Sequence, residues 1–284
     1  MFEKKFILGV GFNNAPENLI LEYIVKSVEK STEKYYVVTP NPELLVISHN
    51  SIEYKKILNK AKLALPDGVG VILASKLLRK GIKERITGVD LVNKLCRAVA
   101  EKPITVGFLG GGPGIADKTA ECLTQKYPGL KVVFVQEEWP KEIIVRGPVT
   151  RFPPASARSS LSSSNELRAV GSPSTRATPN FKKLSNISIS QYLNIDILFV
   201  AFGSPKQELW ISKNLNKLPI KVAIGVGGAF DFISGEVRRA PIWIRKIGFE
   251  WLFRLIIQPW RIKRQLSLIY FIILILKEKF FSKL

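Results

Sequence analysis

The stretch ITVGFLGGGPG, residues 104–114, decides the fold, because it joins an apolar strand-like run to a glycine-rich turn. A helical pattern begins near Ile115. Glycines let a nucleotide approach the backbone, and the N–H groups at a helix start favour anions, so we predict that Gly110 and Gly112 contact a ligand. The GxGxxG spacing is absent, because Ile115 stands where its third glycine would be. A dinucleotide-dependent oxidoreductase is therefore a weakened alternative.

Four more apolar runs occur along the chain, and several end in turns that contain glycine or Ser, Thr and Asn. They cover residues 35–39, 131–135, 195–201 and 220–226. Short apolar runs separated by helical patterns are typical of an α/β fold, here a Rossmann-like, mostly parallel sheet. Ligands of such folds bind at the carboxyl ends of the strands, so functional residues are expected there.

The composition favours an anionic partner. The formal net charge is +20 and 46% of the 284 residues are hydrophobic, which is ample for a packed core. Nucleic acid, nucleotide phosphates and an acidic lipid surface all fit this charge. A nucleic-acid-binding module is the alternative of a different class, but the basic and aromatic residues gather near one terminus rather than on a strand face. The N-terminus shows no export signal, so a cytoplasmic protein is expected.

Two turns that follow strand-like runs contain candidate residues. In TPNPE, residues 39–43, Thr39 and Asn41 would project where a sugar or phosphate can be met, although a plain helix cap explains the spacing equally well. In LPDGVG, residues 65–70, proline and glycine pin the backbone around Asp67. A carboxylate fixed in this way suits a general base, and an ordinary turn residue is the alternative.

Two later turns add side chains of the same kind. GSPKQE, residues 203–208, offers Gln207 and Glu208 to a uracil or a sugar hydroxyl, or Ser204 as a simple helix cap. GVGGAFDF, residues 225–232, places Asp231 among apolar residues, where a carboxylate needs a partner that a bound ligand could provide.

The C-terminal region is basic and rich in tryptophan. Residues 237–264 contain eight Lys or Arg and one acid, Glu250. On one continuous helix Arg254, Arg261 and Arg264 would form a cationic face suited to a diphosphate, but Pro259 is expected to divide it. The apolar run at 266–276 is shorter than the about 20 residues needed to cross a bilayer. We expect it to lie in a membrane interface, with a buried terminal helix as the alternative.

The chain is predicted to comprise an α/β domain, residues 1–235, and a basic amphipathic appendage, residues 236–284. One segment departs from this scheme. Residues 146–180 are rich in Ser, Pro, Arg and Ala, show no period, and differ in composition from the Lys-, Ile- and Asn-rich remainder. Their composition predicts a disordered insert.

Six motifs in order resemble the WecG/TagA/CpsF family of bacterial glycosyltransferases. They are TPNPE (39–43), LPDGVGV with RITGVDLV (65–71 and 85–92), FLGGGPG (108–114), FVAFGSPKQE (199–208), GVGGAFDFISG (225–235) and RRAPIWIRKIGFEWLFRLIIQPWRIKR (238–264). The resemblance covers nearly the whole chain except residues 146–180. It implies an inverting reaction on a Rossmann-like domain, without metal ion or cofactor, and the sequence has no DxD metal motif.

Within that family the sequence is most similar to the TagA type. The resemblance implies transfer of N-acetylmannosamine from UDP-N-acetylmannosamine to N-acetylglucosaminyl-diphospho-undecaprenol, in wall teichoic acid linkage-unit synthesis at the inner face of the cell membrane. A UDP-N-acetylmannosaminuronic acid or UDP-glucose donor is the alternative, and self-association is also implied. By the same likeness Asp67 matches the catalytic base, with Thr39 and Asn41 as its neighbours. Gln207 and Asp231 match positions near the nucleotide sugar, and Arg254, Arg261 and Arg264 match cations that reach the diphosphate.

Overall fold

The computed structural model describes residues 2–139 and 194–281. Its centre is a six-stranded sheet in which every pair of neighbouring strands is parallel. The strands are β3 (Tyr35–Val38), β4 (Leu63–Ala64), β5 (Thr105–Gly110), β6 (Lys131–Gln136), β7 (Ile195–Ala201) and β8 (Ile220–Gly225), in the order β4-β3-β8-β7-β5-β6. A separate antiparallel hairpin joins β1 (Lys4–Ile7) to β2 (Val10–Asn13). The predicted α/β class with a mostly parallel sheet is confirmed.

Helices cover both faces of the sheet. They are α1 (Glu17–Lys30), α2 (Pro42–Asn50), α3 (Ile52–Lys60), α4 (Val69–Leu77), α5 (Gly88–Val99), α6 (Ile115–Lys126), α7 (Lys206–Asn214) and α8 (Ala229–Ile233). Strand β7 is buried throughout because its alternate side chains enter two cores. Phe199 packs with α1, α5, α6 and α8, whereas Leu198 packs in the core that includes the hairpin, α2, α3, α4 and α7.

The C-terminal helices are α9 (Ile242–Lys246), α10 (Glu250–Ile257) and α11 (Ile262–Phe281). Helix α10 ends before Pro259, which begins a 3₁₀ turn, so the predicted division is confirmed. The provisional alignment of Arg254, Arg261 and Arg264 on one helix is therefore wrong, because Arg254 belongs to α10 and the other two follow the break.

Helix α11 packs along α2 and buries Phe271, Leu274 and Ile275 in the second core. Other apolar side chains of α11, such as Leu266 and Ile269, are exposed. The helix thus combines a buried face with an exposed apolar face. Within residues 2–139 and 194–281, no helix is long and apolar enough to cross a membrane. The predicted insert at 146–180 lies outside the described residues, and the domain boundary at 235 stays a prediction.

Candidate active site

A large cleft lies at the carboxyl edge of the sheet. The segments that follow all six strands line it, and so do parts of α4, α10 and α11. Its volume is about 1310 Å³, which is large enough for a nucleotide sugar together with a second substrate. The cleft lies where the strand pattern predicted the functional residues.

The cleft brings together nine of the eleven candidate residues. They are Thr39, Asn41, Asp67, Gly110, Gly112, Gln207, Asp231, Arg254 and Arg261. Glu208 lies beneath the cleft and is fully buried. The side chain of Arg264 lies outside the described part of the chain.

The backbone around Asp67 is fixed by hydrogen bonds to two neighbouring loops. The N–H of Asp67 donates to the carbonyl of Pro40 at 3.1 Å, and the N–H of Ile86 donates to the carbonyl of Pro66 at 2.9 Å. Gly68 has φ +88°, a conformation that favours glycine, and it begins α4. The carboxyl group is therefore held in one direction at the cleft wall.

Burial raises the pKa of Asp67 to about 7. The nearby Arg85 guanidinium opposes this rise, whereas the negative charges of Glu250 and Asp90 add to it. A carboxyl group that titrates near neutral pH can accept a proton and still be ionised for the next turnover. This electrostatic environment suits a general base.

Arg239 connects α10 to the first turn of α5. Its guanidinium donates to both carboxylate oxygens of Asp90, at 2.8 and 3.0 Å, and to Glu250 at 3.0 Å. Thr87 donates a further hydrogen bond to Asp90 at 2.7 Å. Burial opposes ionisation of Asp90, but the hydrogen bonds from Arg239 and Thr87, together with the charges of Arg239 and Arg245, lower the pKa of its carboxyl group. Sequence reasoning placed Asp90 and Arg239 inside motifs but did not single them out.

Thr39 and Asn41 support the turn after β3. The Thr39 hydroxyl donates to the carbonyl of Gly225 at 3.2 Å and so links β3 to β8. The Asn41 side-chain oxygen accepts the N–H of Leu44 at 3.0 Å, which is an N-cap for α2. Both residues line the cleft, so the helix-cap interpretation of Asn41 and a position beside the ligand are compatible.

Gln207 and Glu208 connect the turns after β7 and β8. The Gln207 side-chain oxygen accepts the N–H of Gly227 at 3.0 Å, and its amide nitrogen donates to Glu208 at 2.7 Å. Glu208 also accepts hydrogen bonds from Tyr54 at 3.1 Å and Ser204 at 2.9 Å. Burial raises the pKa of Glu208, although these hydrogen bonds offset part of the effect. The carboxyl group of Glu208 therefore bonds inside the protein, and Ser204 bonds to it instead of capping α7.

Asp231 is paired with a cation from α10. Its carboxylate accepts a hydrogen bond from Arg254 at 2.7 Å, and the Arg254 guanidinium lies 4.6 Å from the centre of the Phe232 ring. A Cβ on Gly228 would lie 2.7 Å from this guanidinium, so the glycine leaves room for it. The expected partner of Asp231 is thus supplied by the protein, in a position that lines the cleft.

Three aromatic residues form one end of the cleft. Trp210 lies 5.7 Å from Trp139 and 5.5 Å from Phe202, measured between ring centres. Sequence reasoning did not single out these residues as site residues. Trp139 and Trp210 are separated by a long stretch of sequence, so no local spacing relates them.

The fold and the cleft have the arrangement expected of an enzyme that acts on a nucleotide-linked substrate. The sequence matches the glycosyl transferase WecG/TagA/CpsF family over residues 6–143 and 162–284. The chain therefore belongs to that family. Membership places it among glycosyltransferases rather than the oxidoreductases or nucleic-acid-binding modules considered from sequence.

Three relatives share one name, N-acetylglucosaminyldiphosphoundecaprenol N-acetyl-beta-D-mannosaminyltransferase. The protein of Bacillus spizizenii is 30% identical over 244 residues, which cover 86% of this chain and 79% of the relative. The protein of Bacillus subtilis (strain 168) is 26% identical, with 96% and 91% covered. The protein of Staphylococcus aureus (strain MRSA252) is 27% identical, with 96% and 92% covered.

The family match also refines the atypical segment. It omits residues 144–161, whereas the segment predicted to lack a family counterpart was 146–180. The later part of that segment therefore does have a counterpart in the family.

Proposed function

We propose that this protein is an inverting hexosyltransferase that moves N-acetylmannosamine from UDP-N-acetylmannosamine to N-acetylglucosaminyl-diphospho-undecaprenol. The observation that carries the proposal is a carboxyl group with a pKa of about 7, Asp67, in the same cleft as Arg254 and Arg261. The names of the three relatives support the choice of sugar and acceptor.

The reaction is a single displacement. Asp67 accepts the proton of the acceptor hydroxyl group while the oxygen of that hydroxyl group bonds to the anomeric carbon of the donor sugar. The bond from that carbon to the UDP oxygen breaks on the opposite face, so the configuration inverts and UDP leaves with the electron pair. Base catalysis of this kind contributes typically ~10²- to 10⁴-fold.

Arg254 and Arg261 stabilise the diphosphate charge. Arginine forks match phosphate oxygens, and fixed cations in a cleft can supply the larger part of the rate acceleration. Arg254 is positioned by Asp231, so diphosphate oxygens and Asp231 share one guanidinium. Thr39, Asn41, Gln207, Gly110 and Gly112 shape the surrounding wall.

The C-terminal helices provide a surface for an anionic membrane. Their exposed apolar side chains include Trp243, Ile256, Trp260, Ile262 and Leu266, next to a basic sequence. Aromatic and aliphatic side chains with flanking cations are typical of interfacial binding. A lipid-linked acceptor supports a membrane-associated enzyme, which we propose acts at the inner face of the cell membrane in teichoic acid synthesis. A second copy of the chain would cover the same surface in a homo-oligomer.

The deciding experiment measures UDP release from UDP-N-acetylmannosamine in the presence of a short-chain lipid analogue of the acceptor. We expect release to require both substrates and to fall ~10²- to 10⁴-fold in Asp67→Asn, with the thermal unfolding temperature checked for folding. UDP-N-acetylmannosaminuronic acid and UDP-glucose are tested in parallel. If UDP is released from one of these two donors and not from UDP-N-acetylmannosamine, the proposed donor sugar is wrong. If Asp67→Asn releases UDP as fast as the wild type does, Asp67 is not the base.

A further inference from the structure

The cleft continues from Asp67 into an apolar groove between α4 and α11. Leu73 and Leu77 of α4 line one side, and Leu268, Ile272 and Ile275 of α11 line the other. We call this the α4–α11 groove. It is part of the same cleft as the candidate base, so a ligand can occupy both at once.

The side chains that line the cleft change from polar to apolar along α11 and the turn before it. Arg261 is the last residue of that turn, and Gln265, Leu268, Ile272 and Ile275 follow on α11. Their spacing of four, three, four and three residues matches the period of a helix. At about 1.5 Å per residue this stripe extends roughly 20 Å. A cation therefore stands at one end of the stripe, and aliphatic side chains occupy the other.

Two aliphatic side chains of the groove, one from each helix, are largely exposed. Leu73 is 57% exposed and Ile272 is 56% exposed. Exposed aliphatic side chains that line a cleft mark a binding surface more often than scattered single ones do. Gly70 keeps the first turn of α4 close to α2 and α11, since a Cβ there would lie 2.6 Å from Pro42 and 3.8 Å from Phe271.

We propose that the α4–α11 groove binds the first isoprene units of the acceptor's polyprenyl chain, with the diphosphate at the Arg261 end. This inference rests on the proposed function, because it assigns a place to the lipid part of that substrate. A lipid diphosphate has the same order of parts as the α11 stripe, an anion followed by an aliphatic chain. The groove is also continuous with the cleft that contains the reacting group.

Binding of two diphosphates without a sugar tests the groove directly. Geranylgeranyl diphosphate and methyl diphosphate are titrated by calorimetry, at concentrations below micelle formation. We expect Ile272→Gln and Leu73→Gln to weaken the prenyl ligand roughly tenfold, as for lost aliphatic contacts in a pocket, and to leave methyl diphosphate unchanged. Ile269→Gln is the matched control, because Ile269 is 60% exposed on the same helix but does not line the cleft. We expect it to change neither affinity.

Two results would overturn the proposal that the groove binds the prenyl chain. One is that Ile269→Gln weakens binding of geranylgeranyl diphosphate as much as the groove variants do, which would point to a general apolar surface. The other is that neither Ile272→Gln nor Leu73→Gln changes the affinity for this ligand. Transfer assays with a prenyl-linked acceptor and with an acceptor whose diphosphate carries only a methyl group separate this inference from the proposed function. If the groove stands, Ile272→Gln raises KM for the prenyl-linked acceptor only. If no sugar is transferred but the prenyl diphosphate still needs Ile272, the proposed function fails and the groove remains.

Discussion

The carboxyl edge of the sheet and the C-terminal helices contribute to the same cleft in different ways. At the sheet edge, hydrogen bonds hold the loops around the cleft in place. The N–H of Asp67 donates to the Pro40 carbonyl, and the side-chain oxygen of Gln207 accepts the N–H of Gly227. The described C-terminal helices α9 and α10 bury no residue, and polar contacts join α10 to the sheet domain, through Arg239 to Glu250 and Arg254 to Asp231.

This difference separates two roles. The sheet edge is a scaffold on which the proposed proton acceptor, Asp67, is already positioned, whereas α10 and α11 bring cations and apolar surface to it. Residues of α11 are part of the second core, so removing the whole C-terminal region would also expose apolar surface of α2. Single substitutions therefore compare the two regions more cleanly than truncation does.

Among substitutions in the C-terminal helices and turns, the largest effect is expected from Arg261→Ala. Loss of a cation that stabilises the departing diphosphate should lower kcat roughly 10²-fold. The thermal unfolding temperature should stay near that of the wild type, because Arg261 lies in a surface turn of the C-terminal region. Lys246→Ala is the matched control, since Lys246 is an exposed cation of α9 that does not line the cleft. Equal loss of turnover in both variants would show that net charge, rather than the position of Arg261, matters.

A pair of glycine substitutions separates the two regions. A Cβ at Gly88 would lie 2.7 Å from the Val226 carbonyl oxygen, which is backbone of the sheet edge and cannot easily move. Gly88→Ala should therefore lower the free energy of unfolding by about 1–3 kcal/mol. Chemical denaturation measures this, and an unchanged midpoint would mean that the sheet edge is not rigid.

Gly228→Ala should have the opposite profile. Its Cβ would meet the end of the flexible Arg254 side chain, at 2.7 Å, so the guanidinium must shift while the fold is retained. We expect kcat to fall roughly tenfold, with a nearly unchanged unfolding midpoint. Activity equal to the wild type would show that the Arg254 position contributes little to turnover.

The sequence predicted the sheet well because its strands are buried on both faces. Residues 195–201 form an apolar run interrupted only by Asp196, and this run is β7 with the same bounds. Strand β4, by contrast, has only two residues, which is too short for a periodic signal. The site residues that followed strands were identifiable for the same reason, since strand ends mark the cleft.

Pairings between distant segments could not be predicted in this way. The contact of Arg239 with Asp90 joins residues far apart in sequence, and nothing in the local spacing specifies it. For Glu208, the sequence identified the residue but not its contacts. Its turn position indicated a ligand contact, but its carboxylate accepts bonds from Tyr54 and Ser204 inside the protein.

Arg239→Gln tests whether the contact between the two regions adjusts the base. Without this cation the charges of Asp90 and Glu250 are less compensated, and both disfavour ionisation of Asp67. The pKa of Asp67 should rise above about 7, so the acidic limb of the pH–rate profile should move to higher pH. At neutral pH, kcat should fall a few-fold.

Arg239→Lys preserves the positive charge but loses the two-oxygen geometry, so it should shift the profile less than Arg239→Gln does. The Arg85 guanidinium, which lowers the pKa of Asp67, is present in both variants. A rate loss that is equal at every pH would mean that Arg239 only anchors α10.

Asp67 should also make the stability of the folded protein depend on pH, chiefly because the sheet edge buries its carboxyl group. The pKa of Asp67 is about 7 in the folded protein, against an ordinary value of 3.8. Between these values the folded state retains a proton that the unfolded state has lost, so the free energy of unfolding decreases as the pH rises towards 7. Asp67→Asn removes this dependence. Its gain in unfolding temperature over the wild type should therefore be larger at about pH 8 than at about pH 5. Asp117→Asn, at an exposed acid of α6, should show the same difference at both pH values. If Asp67→Asn behaves like this control, the sheet edge does not raise the pKa of Asp67. A raised pKa during catalysis must then come from the C-terminal helices or from the bound substrate.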